Sequence, residues 1–272
     1  MPKHSIISML SGRMHHLLMW SKGKRDDIVY HNPKFMPSSP DDSGTTIYCI
    51  HGTADRNAAF ETIVSNLIDS LPVSVSTIHL MSFDERFHGV SIEVFAEQLT
   101  QRILENNHQQ VILIGHSRGG IIAAYFTEYL AQLANIQVNG VISICGPFGG
   151  SVMAMPPLTW VSSSIKEMTL NNEFLIPIQE RVSVSPIPYF FFGAKYDVAV
   201  RHDDNCPRAR LDELIMLDSN DHLSIMARSE MADLIRIQIA MIVAEAKHCD
   251  ADCLDFDADR SPASAAYFRS LV

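Results

Sequence analysis

Long apolar segments are absent from this sequence of 272 residues. No run approaches the roughly 20 residues that span a bilayer, and the first residues lack the apolar stretch of about 7 to 15 that marks a secretory signal. We therefore expect no transmembrane anchor and no signal peptide. This favours a cytoplasmic protein, with export by a route that reads other signals left open.

Positive charge is also scarce, because 21 Lys and Arg stand against 31 Asp and Glu, giving a net charge of -10. Such a balance disfavours a nucleic-acid binder, whose affinity would come from neutralised phosphates. Cysteines are few and odd in number, 5 in all, and Cys49 and Cys145 lie in apolar runs. We expect buried free thiols in a reducing compartment and no disulfide framework.

The two ends of the chain differ from its middle in charge. Residues 1–25 contain no acid and carry five bases, which are Lys3, Arg13, Lys22, Lys24 and Arg25. We interpret 1–44 as a basic N-terminal leader and lead-in that packs loosely; the alternative is peripheral contact with an anionic membrane surface. Acids dominate the other end, so 247–272 is interpreted as a solvated acidic tail.

Strand-like and helix-like segments alternate between these ends. The apolar runs predict strands over Thr45–Ile50, Val73–Met81, Val111–Ile114, Val141–Ile144, Tyr189–Phe192 and Leu214–Leu217. Helical spacing predicts helices over Asn57–Leu71, Val90–Leu104, Gly119–Leu133 and Met226–Ala246. Near-continuous apolar strands separated by helices are typical of a parallel sheet covered on both faces. We predict one α/β domain over 45–246, with a mostly parallel central sheet and a lid-like insertion at 151–185.

One short motif concentrates the chemistry. Gly115-His-Ser117-Arg-Gly119 follows an apolar strand directly and opens a helix. A sharp strand-to-helix turn exposes the serine hydroxyl, and the small residues on both sides let neighbouring backbone approach. The Arg118 N–H would then stand at a helix N-terminus, where it can stabilise a developing oxyanion. With it we pair the Thr53 N–H, which follows His51-Gly52 at the end of an earlier strand.

A serine nucleophile needs a base and an acid that orients the base, here expected in the chain order Ser, acid, His. Asp197 and His222 each lie just past a predicted strand, where reacting groups of α/β sheets gather. We predict a Ser117–His222–Asp197 triad. Rival residues stay open at this stage: the acids are Asp203, Asp204, Asp218 and Asp221, and the imidazoles are His116 and His202.

The ordered set of motifs resembles the α/β-hydrolase superfamily, and within it the lipases and the GPI inositol-deacylase-like esterases. The resemblance spans about Thr45 to Ala246 and is carried by His51-Gly52, Gly115–Gly119, Gly146–Ser151, Asp197 and Asn220–Ser224. The chain departs from the usual patterns at Phe148, where histidine is common, and at Arg118, where Met or Leu is common. Thr53 and Ala54 also lack the aromatic often found behind His-Gly.

The resemblance implies hydrolysis of carboxylic esters through an acyl-serine, with a small-molecule or lipid ester as substrate. We expect His51, Phe148 and Trp160 to contact the substrate. The methionines of the insertion either line an acyl site or simply cover the sheet. No metal site or nucleotide loop accompanies the motifs, so we expect no cofactor. The alternatives are an acyltransferase or thioesterase on the same scaffold, and a catalytically silent binding protein.

Overall fold

A computed structural model of the protein describes residues 21–39, 42–53, 55–83, 89–218 and 221–252, together with positions 10, 14, 17 and 18. Most of the basic stretch 1–25 lies outside these residues, as does the acidic tail beyond residue 252. The interpretations of both ends therefore stay predictions. None of the described helices has the length and apolar character needed to cross a membrane.

The centre of the molecule is a sheet of seven strands, arranged in the order β1-β3-β2-β4-β5-β6-β7. The strands are β1 (Ile28–His31), β2 (Thr45–Ile50), β3 (Val75–Leu80), β4 (Gln110–His116), β5 (Gln137–Ile144), β6 (Tyr189–Ala194) and β7 (Leu214–Leu217). All neighbouring strands pair in parallel except β1, which runs antiparallel to β3. The predicted mostly parallel α/β sheet is confirmed.

Helices connect the strands on both faces of this sheet. The α-helices are α1 (Glu61–Leu67), α2 (Ile92–Glu105), α3 (Arg118–Tyr125), α4 (Leu158–Val161), α5 (Ser163–Glu167), α6 (Leu175–Val184) and α7 (Ser229–Asp252). Short 3₁₀ segments flank α1, and α3 continues into a π-helical stretch over Phe126–Leu130. The long helices that the periodicity predicts are therefore present, with ends that shift by a few residues.

The period of two along each strand divides the core into two layers. On β2, Tyr48 and Ile50 point to the face covered by α2, α3 and α6, whereas Ile47 and Cys49 point to the face covered by α1 and α7. All four side chains are at most 1% exposed. Burial on both faces explains why the strands read as continuous apolar runs and not as alternating ones.

Strand β1 lies in the segment 1–44 that the sequence analysis assigned to the leader and lead-in. Its four residues pair with β3 from Ile28 opposite Leu80 to His31 opposite Thr77. Its side chains alternate between partly buried and exposed, so this edge strand has no apolar run by which it could be found. The sheet thus begins before Thr45, which corrects the predicted lower boundary of the folded domain.

The insertion at 151–185 contains no strand, as predicted, and folds into α4, α5 and α6. Its C-terminal part joins the core through Leu175, Ile178 and Val182, all at most 1% exposed. Its first part is different, because large apolar side chains there stay on the surface; Met153, Met155, Trp160 and Val161 are 54–78% exposed. One half of the insertion therefore covers the sheet, and the other half presents apolar groups to solvent.

Candidate active site

Ser117 occupies a sharp turn between β4 and α3. Its backbone adopts φ 55° and ψ -125°, a conformation that is strained for a residue with a side chain. The Ser117 N–H donates to the Ile144 carbonyl at 2.8 Å. A Cβ on Gly119 would lie 2.0 Å from the Ile50 carbonyl oxygen, and one on Gly115 2.3 Å from the Gly119 oxygen. Only glycines permit these approaches, which explains the motif around the serine.

A continuous hydrogen-bond chain leads from this serine to an aspartate. The Ser117 Oγ lies 2.9 Å from His222 Nε2, and His222 Nδ1 lies 2.6 Å from Asp197 Oδ2. The Asp197 side chain is 1% exposed and that of His222 15% exposed. The structure therefore brings together, in the expected order, the three residues that the sequence predicts as a triad.

The carboxylate of Asp197 is fixed on its other side by the backbone. Its Oδ1 accepts the N–H groups of Ala199 at 2.7 Å and Val200 at 3.0 Å. Burial pushes the pKa of Asp197 upward, but the hydrogen bond and charge of His222, with these two N–H groups, outweigh burial and leave the pKa below its ordinary value. Asp197 is therefore ionised at neutral pH and can stabilise a positive charge on His222.

The rival acids make other contacts. Asp218 is exposed and pairs with Lys195 at 2.8 Å, and Asp203 pairs with the exposed imidazole of His202 at 2.6 Å. Asp204 lies against Gly149, where its Oδ1 would be 2.1 Å from an added Cβ.

Asp221 is buried, and its Oδ1 accepts the N–H groups of Leu223 at 3.1 Å and Ser224 at 2.9 Å. It thereby shapes the turn that carries His222. The remaining rival imidazole, His116, contacts the main chain of His222 and not Ser117: its Nε2 lies 2.8 Å from the His222 carbonyl oxygen.

The two predicted oxyanion donors flank the nucleophile. The loop after β2 runs directly against it, because a Cβ on Gly52 would lie 3.0 Å from the Ser117 Cβ. Thr53 follows in that loop. Arg118 is the first residue of α3, and N–H groups in the first turn of a helix have no intrahelical acceptor. The loop after β2 and the first turn of α3 therefore both adjoin Ser117.

The three residues predicted to contact the substrate differ widely in exposure. Phe148 is 0% exposed and packs edge-on against Phe191 with ring centroids 5.5 Å apart, so its ring lies in the core and its substrate contact stays a prediction. His51 is 1% exposed and packs against Phe83 with ring centroids 5.3 Å apart, so it is buried where the loop after β2 begins. Trp160, at 78% exposed, stays available on α4.

Two features of the site were missed by sequence reasoning. Cys145 is fully buried, and burial, then the charge of Asp197 and a hydrogen bond to it, raises the pKa of its thiol well above the ordinary value. Its sulfur lies within 4.8 Å of a carboxylate oxygen of Asp197. Its position directly after β5, between the strands that lead to Ser117 and Asp197, is a signal that could have placed it here.

The side chain of Arg118 is the second. It is 1% exposed, donates to Ser164 Oγ on α5 at 3.2 Å, and lies 4.1 Å over the ring of Phe95. Burial lowers its pKa to about 9, against the opposing charge of Asp55. The residue after the nucleophile thus links the turn to the insertion.

Among the described residues, one group offers metal-ligand atoms at short range: Cys145, Asp197 and His222, whose atoms lie within 4.8 Å of one another. His222 uses both ring nitrogens for Asp197 and Ser117. The group is better suited to orienting a serine than to holding a metal ion.

Comparison with known proteins gives the site its context. The sequence model of the lecithin:cholesterol acyltransferase family matches residues 51–192, slightly more than half of the chain. This range includes the loop after β2 and the turn at Ser117. None of the curated proteins compared with the chain matches it in sequence.

Solved structures share the fold at low identity. A monoacylglycerol lipase of Paleococcus ferrophilus superposes with a TM-score of 0.54 at 13% identity over 80% of this chain and 98% of its own. A carboxylesterase of Nitrososphaera gargenis gives 0.53 at 13% over 82% and 97%. The Bacillus licheniformis lipase BlEst2 gives 0.50 at 15% over 78% and 98%. With the family match, these similarities establish that the chain belongs to the lecithin:cholesterol acyltransferase family of lipase-like α/β-hydrolases.

Proposed function

We propose that this protein is a serine hydrolase that cleaves carboxylic esters through an acyl-serine intermediate on Ser117. The observation that supports it most is the unbroken hydrogen-bond chain from Asp197 Oδ2 to His222 at 2.6 Å and from His222 to Ser117 Oγ at 2.9 Å. A serine hydroxyl is a weak nucleophile unless an adjacent base takes its proton. Within the described residues, the Ser117 hydroxyl meets that requirement.

The reaction follows from these contacts. His222 Nε2 takes the proton of Ser117 as Oγ attacks the ester carbonyl carbon, and the oxygen that gains the negative charge is held by the N–H groups of Thr53 and Arg118. The tetrahedral intermediate then expels the alcohol, which receives the proton from His222. Water, deprotonated by His222, then attacks the acyl carbon, and the bond to Ser117 Oγ breaks as that oxygen regains the proton from His222, which releases the acid. Asp197 orients the imidazole and stabilises its positive form throughout.

A hydrophobic or lipid ester is the substrate class we favour. The exposed apolar side chains of the insertion, among them Met153 and Trp160, are tied to the loop that holds Asp197, since the Val152 N–H and the Ser151 hydroxyl both donate to the Ala199 carbonyl. Apolar surface of this kind marks a binding region. We propose that 151–185 covers the site and contributes this surface to substrate binding.

Acyl transfer to an alcohol is the second candidate, because the family that matches the chain is named for an acyltransferase. The first half-reaction is the same in both cases. Only the acceptor of the acyl group differs, so supplying a long-chain alcohol with a p-nitrophenyl ester and measuring the ratio of new ester to free acid separates the two. A product that is free acid throughout supports hydrolysis.

Covalent labelling tests the proposal directly. A fluorophosphonate probe forms a P–O bond to an activated serine and releases fluoride. We expect labelling of the wild-type protein and of Ser65→Ala, a control at an exposed serine on α1, and no labelling of Ser117→Ala. Turnover of p-nitrophenyl esters of increasing chain length should be lost in the same variant. Labelling that persists in Ser117→Ala, or an unlabelled wild-type protein, would contradict a Ser117 nucleophile.

A further inference from the structure

The imidazole of His116, the residue before Ser117, contacts the main chain of the proposed base, His222. His116 is the last residue of β4 and is 1% exposed. Its Nε2 lies 2.8 Å from the carbonyl oxygen of His222, and the two rings are 5.1 Å apart at an interplanar angle of 42°. Because a carbonyl oxygen only accepts, His116 Nε2 must carry the hydrogen and donate it.

A buried carboxylate faces the other nitrogen of this ring. Asp55 is 5% exposed, and its Oδ2 lies 3.8 Å from His116 Nδ1. Its Oδ1 accepts the Arg56 N–H at 2.9 Å, which fixes the carboxylate. Asp55 therefore faces His116 at the distance of an ion pair, longer than the 2.6 Å hydrogen bond between Asp197 and His222. The far nitrogen of His116 is directed at the main chain of His222.

The main chain of His222 needs such support because no regular element carries it. His222 lies between the end of β7 and a 3₁₀ turn over Ser224–Ala227. Its side chain is held by Asp197, but a backbone shift of about 1 Å in a catalytic group can reduce a rate about 100-fold. The bond from His116 joins this loop to β4, the strand that also delivers Ser117, so nucleophile and base share one support.

We propose that His116, oriented by Asp55, is a positioning residue that fixes the main chain of His222 relative to Ser117. The proposal rests on the proposed function, in which His222 is the base. In this role His116 must donate an N–H from Nε2 to the His222 carbonyl oxygen. A residue that only fills space at this position would need volume and no donor.

The distinction between donor and volume defines the test. His116→Met keeps a similar volume without an N–H, whereas His116→Gln keeps a donor of similar reach. On a soluble short-chain p-nitrophenyl ester we expect His116→Met to lower kcat about 10- to 100-fold with KM changed less than about threefold. His116→Gln should recover most of that loss, and the fluorophosphonate labelling rate should fall and recover in parallel.

Asp55 is tested by a double-mutant cycle. Asp55→Asn should lower kcat by a smaller factor, and Asp55→Asn combined with His116→Met should equal His116→Met alone, because the aspartate acts through the histidine. Multiplied losses in the double variant would overturn the role of Asp55. Thermal unfolding of every variant shows whether each remains folded at the assay temperature; if His116→Met does not, His116→Gln and Asp55→Asn carry the comparison against wild type.

Failure of this inference can be told apart from failure of the proposed function. If wild type is labelled at Ser117 while His116→Met matches wild type in kcat and labelling rate, the positioning role is wrong and the serine mechanism stands. If His116→Gln is as impaired as His116→Met, the donor is not what matters, and the proposal is equally overturned. An unlabelled wild-type protein refutes both.

Discussion

We call Ser117, His222 and Asp197 the floor of the site. The floor and the first part of the insertion differ in how far their side chains are buried. In the floor, Asp197 is 1% exposed and accepts from two backbone N–H groups as well as pairing with His222. In the insertion, Trp160 is 78% and Met153 54% exposed. The sheet therefore holds Ser117, His222 and Asp197 in fixed contact, whereas the first part of the insertion presents apolar side chains on the surface.

The largest expected effects come from the floor. Ser117→Ala or His222→Ala should reduce kcat by about 10⁶, the loss seen on removal of such residues in a serine protease, and Asp197→Asn by about 10⁴ with the fold intact. Asp218→Asn is the matched control, since Asp218 is an exposed neighbour paired with Lys195. Equal kcat in Asp197→Asn and wild type would show that another carboxylate, and not Asp197, orients His222.

The core beneath the floor is expected to respond in stability. Phe148 is fully buried against Phe191, so Phe148→Ala should lower the free energy of unfolding by about 3–5 kcal/mol through lost contacts and a cavity. Trp160→Ala, an aromatic truncation of comparable size on the insertion, should change it by about 0.5 kcal/mol or less. Urea denaturation measures both. Similar losses of unfolding free energy in the two variants would contradict the difference in burial between the core and the insertion.

The insertion should instead affect binding of aggregated substrate. Trp160→Ala removes exposed apolar surface, and we expect a several-fold higher apparent KM for emulsified long-chain esters with an unchanged kcat on a soluble short-chain ester. Ile237→Ala, at a side chain 46% exposed on α7, serves as control and should leave both values unchanged. A lower kcat of Trp160→Ala on the soluble ester would contradict a role limited to binding aggregated substrate.

The smallest expected effect concerns a contact that attaches the insertion to α2. Glu167 on α5 accepts the Ile92 N–H at 2.7 Å, and burial, reinforced by the charge of Glu93, raises its pKa above the ordinary 4.5 despite that hydrogen bond. The folded protein thus holds this proton more tightly than the unfolded chain, so stability falls as pH rises from about 4.5 through the raised value.

Glu167→Gln keeps the acceptor and removes the titration. Between pH 4.5 and 7 its Tm should therefore decline less, or rise more, than that of wild type, whereas Glu180→Gln at an exposed position of the same insertion should follow wild type. Parallel Tm curves for Glu167→Gln and wild type would show that the attachment of α5 does not sense pH.

Local patterns explain what the sequence could predict. The turn at Ser117 requires only a strand, two glycines and a helix in succession, and all are adjacent in the chain. Asp197 and His222 were found because strand ends in a parallel sheet converge at one edge. The helices and most strands follow from apolar period and length alone.

What the sequence could not predict depends on neighbours across the sheet. The burial of Phe148 could not be predicted because residue type does not reveal that its ring turns inward against β6. The contacts of His116 with Asp55 and His222, and of Cys145 with Asp197, join residues far apart in the chain whose pairing is set by strand order. Strand β1 escaped notice because a four-residue edge strand, half exposed, carries almost no apolar signal.

The thiol of Cys145 has a practical consequence. Because it is 0% exposed, alkylating reagents such as iodoacetamide reach it only when this part of the protein opens. Mass-spectrometric quantification of carbamidomethylation at this one sulfur over time would therefore act as a clock, reporting how often the strands beneath the nucleophile separate in the otherwise native protein.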